Sequence, residues 1–188
     1  MKVIEFTGTP KSGKSALVKR LIDYLGEEKV SPVYEGYRMC PFKDKKGAHF
    51  EQQIWVIFSI VNKILEFKNS GTESKPEFLI LDRGLWDQIV FINLLKEKGL
   101  ITARQYRELS LFLKPFLSLT DLIFSFETDP QISQQRQKEE GKKPRFTLKD
   151  LTLMNKIAKD LLPPSTIHLD GSKTKEELLR EIVKEVGL

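Results

Sequence analysis

The chain has one cysteine, Cys40, so no intrachain disulfide can form, and a lone thiol beside Pro41 fits a reducing compartment. It has two histidines, His49 and His168, which do not suggest a metal cluster. The apolar run from Ile54 to Val61 is too short to cross a bilayer. A first strand is expected by Val3, which leaves no room for a signal peptide ahead of it. There is no internal repeat, low-complexity tract or interdomain linker. The expectation is a soluble, cytoplasmic protein without membrane partners. What is present is an ordinary globular balance, 40% hydrophobic and 30% charged over 188 residues, enough for one domain with a substantial core. A net charge of +5 suits an anionic ligand but is too mild to demand nucleic acid.

The most informative segment is Gly8-Thr9-Pro10-Lys11-Ser12-Gly13-Lys14-Ser15, followed by Ala16, which fits G-x-x-x-x-G-K-[ST]. Successive backbone N–H groups turned inward, with a helix opening behind them, can replace the water around a polyphosphate. Gly8 and Gly13 are expected to permit the tight turn and a close approach of the phosphates. Lys14 would reach the β- and γ-phosphates, and the Ser15 hydroxyl would ligate Mg²⁺. The context agrees: Lys2 to Thr7 reads as a strand, and Ala16 to Ile22 as an amphipathic helix. The segment implies a bound nucleoside triphosphate.

Strand-like and helix-like segments alternate to the end of the chain, which argues for a parallel sheet covered by helices. Strands are expected at 29–34, 77–82, 122–126 and 166–169, with Pro32 weakening the first of these. Residues 37–48 read as a loop and His49 to Lys68 as a long helix ended by Asn69-Ser70-Gly71. Its apolar residues Ile54, Ile57, Phe58, Val61, Ile64 and Leu65 are assigned to a core stripe. Thr102 with Gln105, Thr147 with Asp150, and Thr174 with Glu177 have helix-opening spacing. Asp129-Pro130 would start a helix, Gly141 to Pro144 would break it, and Pro163-Pro164 would stop the next. The fold class is α/β, one doubly wound domain of about five strands spanning 1–188.

Ligands of such sheets sit beyond the carboxyl ends of the strands. Glu35 and Arg38 follow the second strand, and Asp82 and Arg83 close the third. Asp82 would complete the Mg²⁺ site with Ser15; a plain capping acid is the alternative. Arg83 would bind an acceptor or neutralise charge on the moving phosphoryl group, or form a salt bridge to Glu35. Glu35 could deprotonate an attacking hydroxyl. Arg38 could bind an acceptor phosphate, or pair with Glu35 at the surface. Residues 136–147 could form a lid in which Arg136 and Arg145 reach the phosphates, or only a solvated charge run. Gln52 or Gln53 could bond a base edge. Trp86 and Asp87 are adequately explained by packing and capping.

Together these residues resemble the nucleoside and nucleotide kinases of the thymidylate kinase and deoxynucleoside kinase type. The resemblance covers nearly the whole chain: the phosphate loop, an acid after the second strand, a Gln-bearing helix, Asp82-Arg83, Thr120 to Pro130 with Arg136, and Leu169 to Leu178. It implies a three-layer P-loop NTPase fold with a five-stranded parallel sheet in the order 2-3-1-4-5, and ATP as donor. Three details depart from it. Pro10-Lys11-Ser12 stands where thymidylate kinases carry an acidic residue in the phosphate loop, Asp82-Arg83-Gly84 stands where Asp-Arg-Tyr or Asp-Arg-Ser is usual, and Glu35 follows Pro-Val-Tyr rather than sitting in a Glu-Pro setting. Asp82-Arg83-Gly84 and Glu35-Gly36-Tyr37-Arg38 are similar to proteins related to nicotinamide riboside kinases. The function expected is phosphoryl transfer to a nucleoside, nucleotide or related small molecule. The alternatives are a nucleotide-dependent switch acting through a macromolecular partner, and a kinase of polynucleotide ends. A GTPase is disfavoured because Asn155-Lys156-Ile157-Ala158 lacks the acid of the guanine motif. Related kinases often form homodimers through helices; the apolar helix around Trp55 or that around Phe112 could serve so here, or be core.

Overall fold

Every expected strand forms. The computed structural model describes residues 1–34, 36–69, 76–139 and 145–188, the side chain of Arg38 excepted. Within them run β1 (Lys2–Gly8), α1 (Lys14–Leu25), β2 (Val30–Tyr34), α2 (His49–Asn69), β3 (Phe78–Asp82) and α3 (Leu85–Glu97). They continue as α4 (Ala103–Leu113), β4 (Leu122–Glu127), α5 (Pro130–Glu139), α6 (Leu148–Leu161), β5 (Ile167–Asp170) and α7 (Lys175–Val186). The five strands make one sheet in the order β2-β3-β1-β4-β5, with all pairs parallel. β2 lies on an edge, which is why Pro32 is tolerated opposite Ile80.

The pleat sorts the strands between two cores. Ile4, Phe6, Phe124 and Phe126 pack with α1 and α7, and the Phe6 and Phe124 rings stack at 5.2 Å. Val3, Leu79 and Leu81 face the other way, onto α2, α3 and α4. α6 closes that second layer beside α3 through Val90, Leu94, Met154 and Ile157. The helix starts are set locally: Thr102 with Gln105, Thr147 with Asp150, and Thr174 with Glu177 each form a reciprocal capping box. The break expected at 141–144, and the residues 70–71 expected to end α2, lie outside the described residues.

One expectation about the core is corrected. Ile57, Val61 and Ile64 are buried, but Ile54, Phe58 and Leu65 are exposed, Phe58 by 61%. The buried stripe of α2 runs instead through Val56, Ile57, Ile60, Val61, Ile64 and Phe67. The 21-residue helix carries apolar side chains on more than one face, and only one face can meet the sheet.

Candidate active site

β1 runs straight into the glycine-rich loop, and the loop into α1. Gly8 has φ 136° and Gly13 has φ 104°. The two glycines serve different needs. A Cβ on Gly8 would stand 2.8 Å from the Phe126 carbonyl oxygen, so this glycine exists to let β4 close against the loop. A Cβ on Gly13 would meet nothing within 4 Å; its left-handed backbone is the constraint there. Lys11, with φ 65°, is a non-glycine residue in the same sparse region.

The Lys14 ammonium is buried and donates to the carbonyls of Gly8 and Thr9, both at 2.8 Å, and to Ser12 Oγ at 3.1 Å. Thr9 and Ser12 are also buried, whereas Ser15 and Ala16 are exposed on the first turn of α1. Pro10 lies between Thr9 and Lys11 at the turn. Helix α5 holds the loop from one side. Thr9 Oγ1 and Ser133 Oγ share a 3.2 Å hydrogen bond, and Arg136 Nη1 donates to the Lys11 carbonyl at 3.0 Å. Arg145 lies elsewhere: its guanidinium stacks 4.1 Å over the Tyr37 ring, in the short turn Gly36–Met39 after β2. The expected lid thus has one arginine on the phosphate loop and one against the loop that follows β2.

Asp82, at the end of β3, is buried in register with Phe6 and Tyr34. Its carboxylate enters no hydrogen bond or ion pair among the described residues. With the Ser15 hydroxyl it offers hard oxygen donors of the kind Mg²⁺ takes beside phosphates and water, so these residues fit the ion. Among the described residues no cluster of three or more His, Cys, Asp or Glu side chains suited to a metal exists.

Arg83 follows with φ 72°, a strained backbone that turns the chain sharply off the strand. Its guanidinium donates to Asp87 Oδ2 at 2.7 Å and lies 5.3 Å over the Phe91 ring. Glu35, the partner weighed for it, lies outside the described residues, as does the side chain of Arg38. Of the two glutamines on α2, Gln52 turns its amide nitrogen to the Phe42 carbonyl at 2.7 Å, bracing the loop before the helix. Among the described residues, Gln53 keeps a buried Oε1 without a partner, and Gln88 on α3 a buried Nε2 without one. Both His side chains stay out of the site's hydrogen bonds; His168 Nδ1 meets Glu127 Oε1 at 2.9 Å, at the surface.

Two acids have partners that sequence reasoning did not supply: Glu5, which it does not single out, and Asp87, which it assigns to packing and capping. Asp87, in the first turn of α3 and 1% exposed, accepts from Thr7 Oγ1 at 2.7 Å and from the Gly8 N–H at 3.2 Å through Oδ1. Glu5 is wholly buried in β1 and accepts from the Asp87 N–H at 2.8 Å and the Trp86 N–H at 3.2 Å. Burial raises the Glu5 carboxyl to about 8, against the lowering effect of those two backbone bonds. The available signal was an acid in a strand otherwise expected to be covered on both faces. A cavity of about 380 Å³ lies between α3, α6 and the end of β4, reaching Thr7, Asp87, Val90, Thr128, Met154 and Asn155. It borders the start of the phosphate loop on the side held by Asp87.

The fold is shared over nearly the whole chain with solved structures. A deoxyadenosine kinase from M. mycoides with products dCMP and a flexible dCDP bound superposes with a TM-score of 0.75 at 16% identity, covering 98% of each chain. The fold is that of a nucleoside kinase. The same kinase with bound dATP gives a TM-score of 0.74 at 15% identity, over 99% of this chain and 100% of that one. With bound dCTP it gives 0.72 at 16% identity, over 98% of each. No protein-family model and no curated protein matches the chain. The nucleoside kinase fold places the glycine-rich loop, Asp82 and Arg83 together at the carboxyl ends of β1 and β3. No described helix is long and apolar enough to cross a membrane.

Proposed function

We propose that this protein transfers the γ-phosphoryl group of ATP to a nucleoside or nucleotide. The observation that carries this reading is the convergence of a phosphate loop, a buried Asp82 unpaired among the described residues and a fixed Arg83 on a fold shared end to end with a kinase that holds deoxynucleotides. Polyphosphate oxygens would take Lys14 from the carbonyls it holds at 2.8 Å. The loop's backbone N–H groups and the start of α1 would hold the remaining charge. Ser15 and Asp82 would hold Mg²⁺, which neutralises charge on the phosphates when bound.

On the acceptor side, Arg83 binds and orients the group that attacks, and Arg38 a phosphate of the acceptor. The buried oxygen of Gln53 has no partner among the described residues and suits a base amino group. Glu35 takes the proton when the acceptor is a hydroxyl. Arg136, already on the phosphate loop, and Arg145, stacked on Tyr37, supply positive charge from the lid. The test is turnover of Mg·ATP across a panel of nucleosides, nucleoside monophosphates and nicotinamide riboside, with mass detection of products. One acceptor gaining a phosphoryl group is the expected result. ATP that binds and hydrolyses slowly, unaffected by every small acceptor, would defeat the reading.

A further inference from the structure

Asp87 touches both halves of the site. One carboxylate oxygen accepts from Thr7 Oγ1 and the Gly8 N–H, at the start of the donor loop. The other accepts from Arg83 Nη1 at 2.7 Å, on the acceptor side. The carboxylate is 1% exposed and the arginine 11%, so the pair has little water to fall back on. Breaking such a pair leaves a buried charge unmatched, which ties the position of each partner to the other. Asp87 is itself held from behind, because its N–H donates to Glu5 in the central strand. The backbone of Arg83 is anchored too, its N–H donating to the Phe6 carbonyl at 3.0 Å.

We infer that Asp87 is a positioning residue that couples the phosphate loop to the acceptor arginine. The inference rests on the kinase reading above. A shift of the loop on binding a triphosphate would be passed through Asp87 to the Arg83 guanidinium, and acceptor binding would be felt at the loop in return.

The test separates the two arms. Asp87→Asn keeps an oxygen for Thr7 and Gly8 but sets an NH₂ group against the guanidinium. Acceptor kcat/KM should fall ~10-fold or more, with calorimetric Mg·ATP affinity held within about threefold. Arg83→Gln should lower kcat/KM similarly, and the double variant should be no worse than Arg83→Gln alone, since both remove one interaction. Losses that multiply in the double variant, or an Asp87→Asn protein with unchanged kcat/KM, overturn the inference. Should Asp87→Asn fail to fold, Thr7→Val removes a bond to Asp87 without touching Arg83. It should weaken Mg·ATP binding about threefold or more and also raise the acceptor KM, and an unmoved acceptor KM overturns the coupling. If the wild-type protein transfers nothing, the kinase reading fails first. Thr7→Val with wild-type Mg·ATP affinity would then refute the donor arm as well.

Discussion

The third residue of Asp82-Arg83-Gly84 has a steric explanation that can be tested by exchange. Gly84 precedes α3 at the N-cap position, where a serine side chain would ordinarily accept from the second or third backbone N–H of the helix. Those N–H groups belong to Trp86 and Asp87, and both already donate to Glu5. A Cβ on Gly84 would stand 2.5 Å from Glu5 Oε2 and 2.8 Å from Leu81 Cδ1. Glu5 therefore caps α3 from β1, and the glycine makes room for it. Gly84→Ser alone forces the carboxyl aside in a packed interior, at about 1–3 kcal/mol for the overpacking. Disturbing the two backbone bonds adds about 1 kcal/mol or more. The sum of roughly 2–4 kcal/mol corresponds to a fall in Tm of ~5–15 °C for a domain of this size. Glu5→Ala alone should cost a similar ~2–4 kcal/mol, since it orphans both N–H groups and leaves a void. Combined, the two changes should compensate: the space is cleared and the introduced serine takes over as cap, leaving the double variant within about 1–2 kcal/mol of wild type. Thermal and urea unfolding of the four proteins measure the cycle. Additive losses, or a Gly84→Ser protein as stable as wild type, would refute the argument.

Glu5 also sets a pH dependence. Its carboxyl is raised from 4.5 to about 8 by burial, so the native state holds a proton that the unfolded chain releases. Its stabilising contribution is complete below 4.5 and is lost as pH climbs to about 8, at up to ~1.4 kcal/mol per pH unit. Urea unfolding between pH 5 and 8 should show that loss, and Glu5→Gln should flatten the slope; an identical slope in both proteins would contradict it. The loop glycines should separate by assay. Gly8→Ala meets the Phe126 backbone and should unfold or fail to accumulate. Gly13→Ala meets nothing, so it should cost ~1–2 kcal/mol of backbone strain and fold, while weakening Mg·ATP binding. Equal thermal stability of the two variants would undo the distinction.

The sheet was legible because the strands at 77–82 and 122–126 are short apolar runs bounded by turn residues, and because Thr-x-x-Gln, Thr-x-x-Asp and Thr-x-x-Glu state where helices begin. The strand order came from the resemblance rather than from periodicity. The phosphate loop is a contiguous motif, so its residues could be named directly. Glu5, Gly84 and Asp87 could not be linked in the same way. Their meaning depends on β1 lying beside the start of α3, a contact between residues about eighty positions apart. Asp87 reads locally as an acid in the first turn of a helix, and that reading is complete without Arg83 or Gly8. The two-faced α2 failed for another reason: apolar periodicity marks which residues share a face, and does not decide which face meets the sheet.

The most direct test of phosphoryl transfer follows the phosphorus itself. ATP carrying oxygen-18 in its γ-phosphoryl group is turned over with Mg²⁺ and the best acceptor of the panel, and the products are weighed by mass spectrometry, with Lys14→Ala as control. The account expects the heavy oxygens in the phosphorylated acceptor, and their loss with Lys14→Ala. Heavy oxygens recovered only in inorganic phosphate, with the acceptor unchanged, would contradict it.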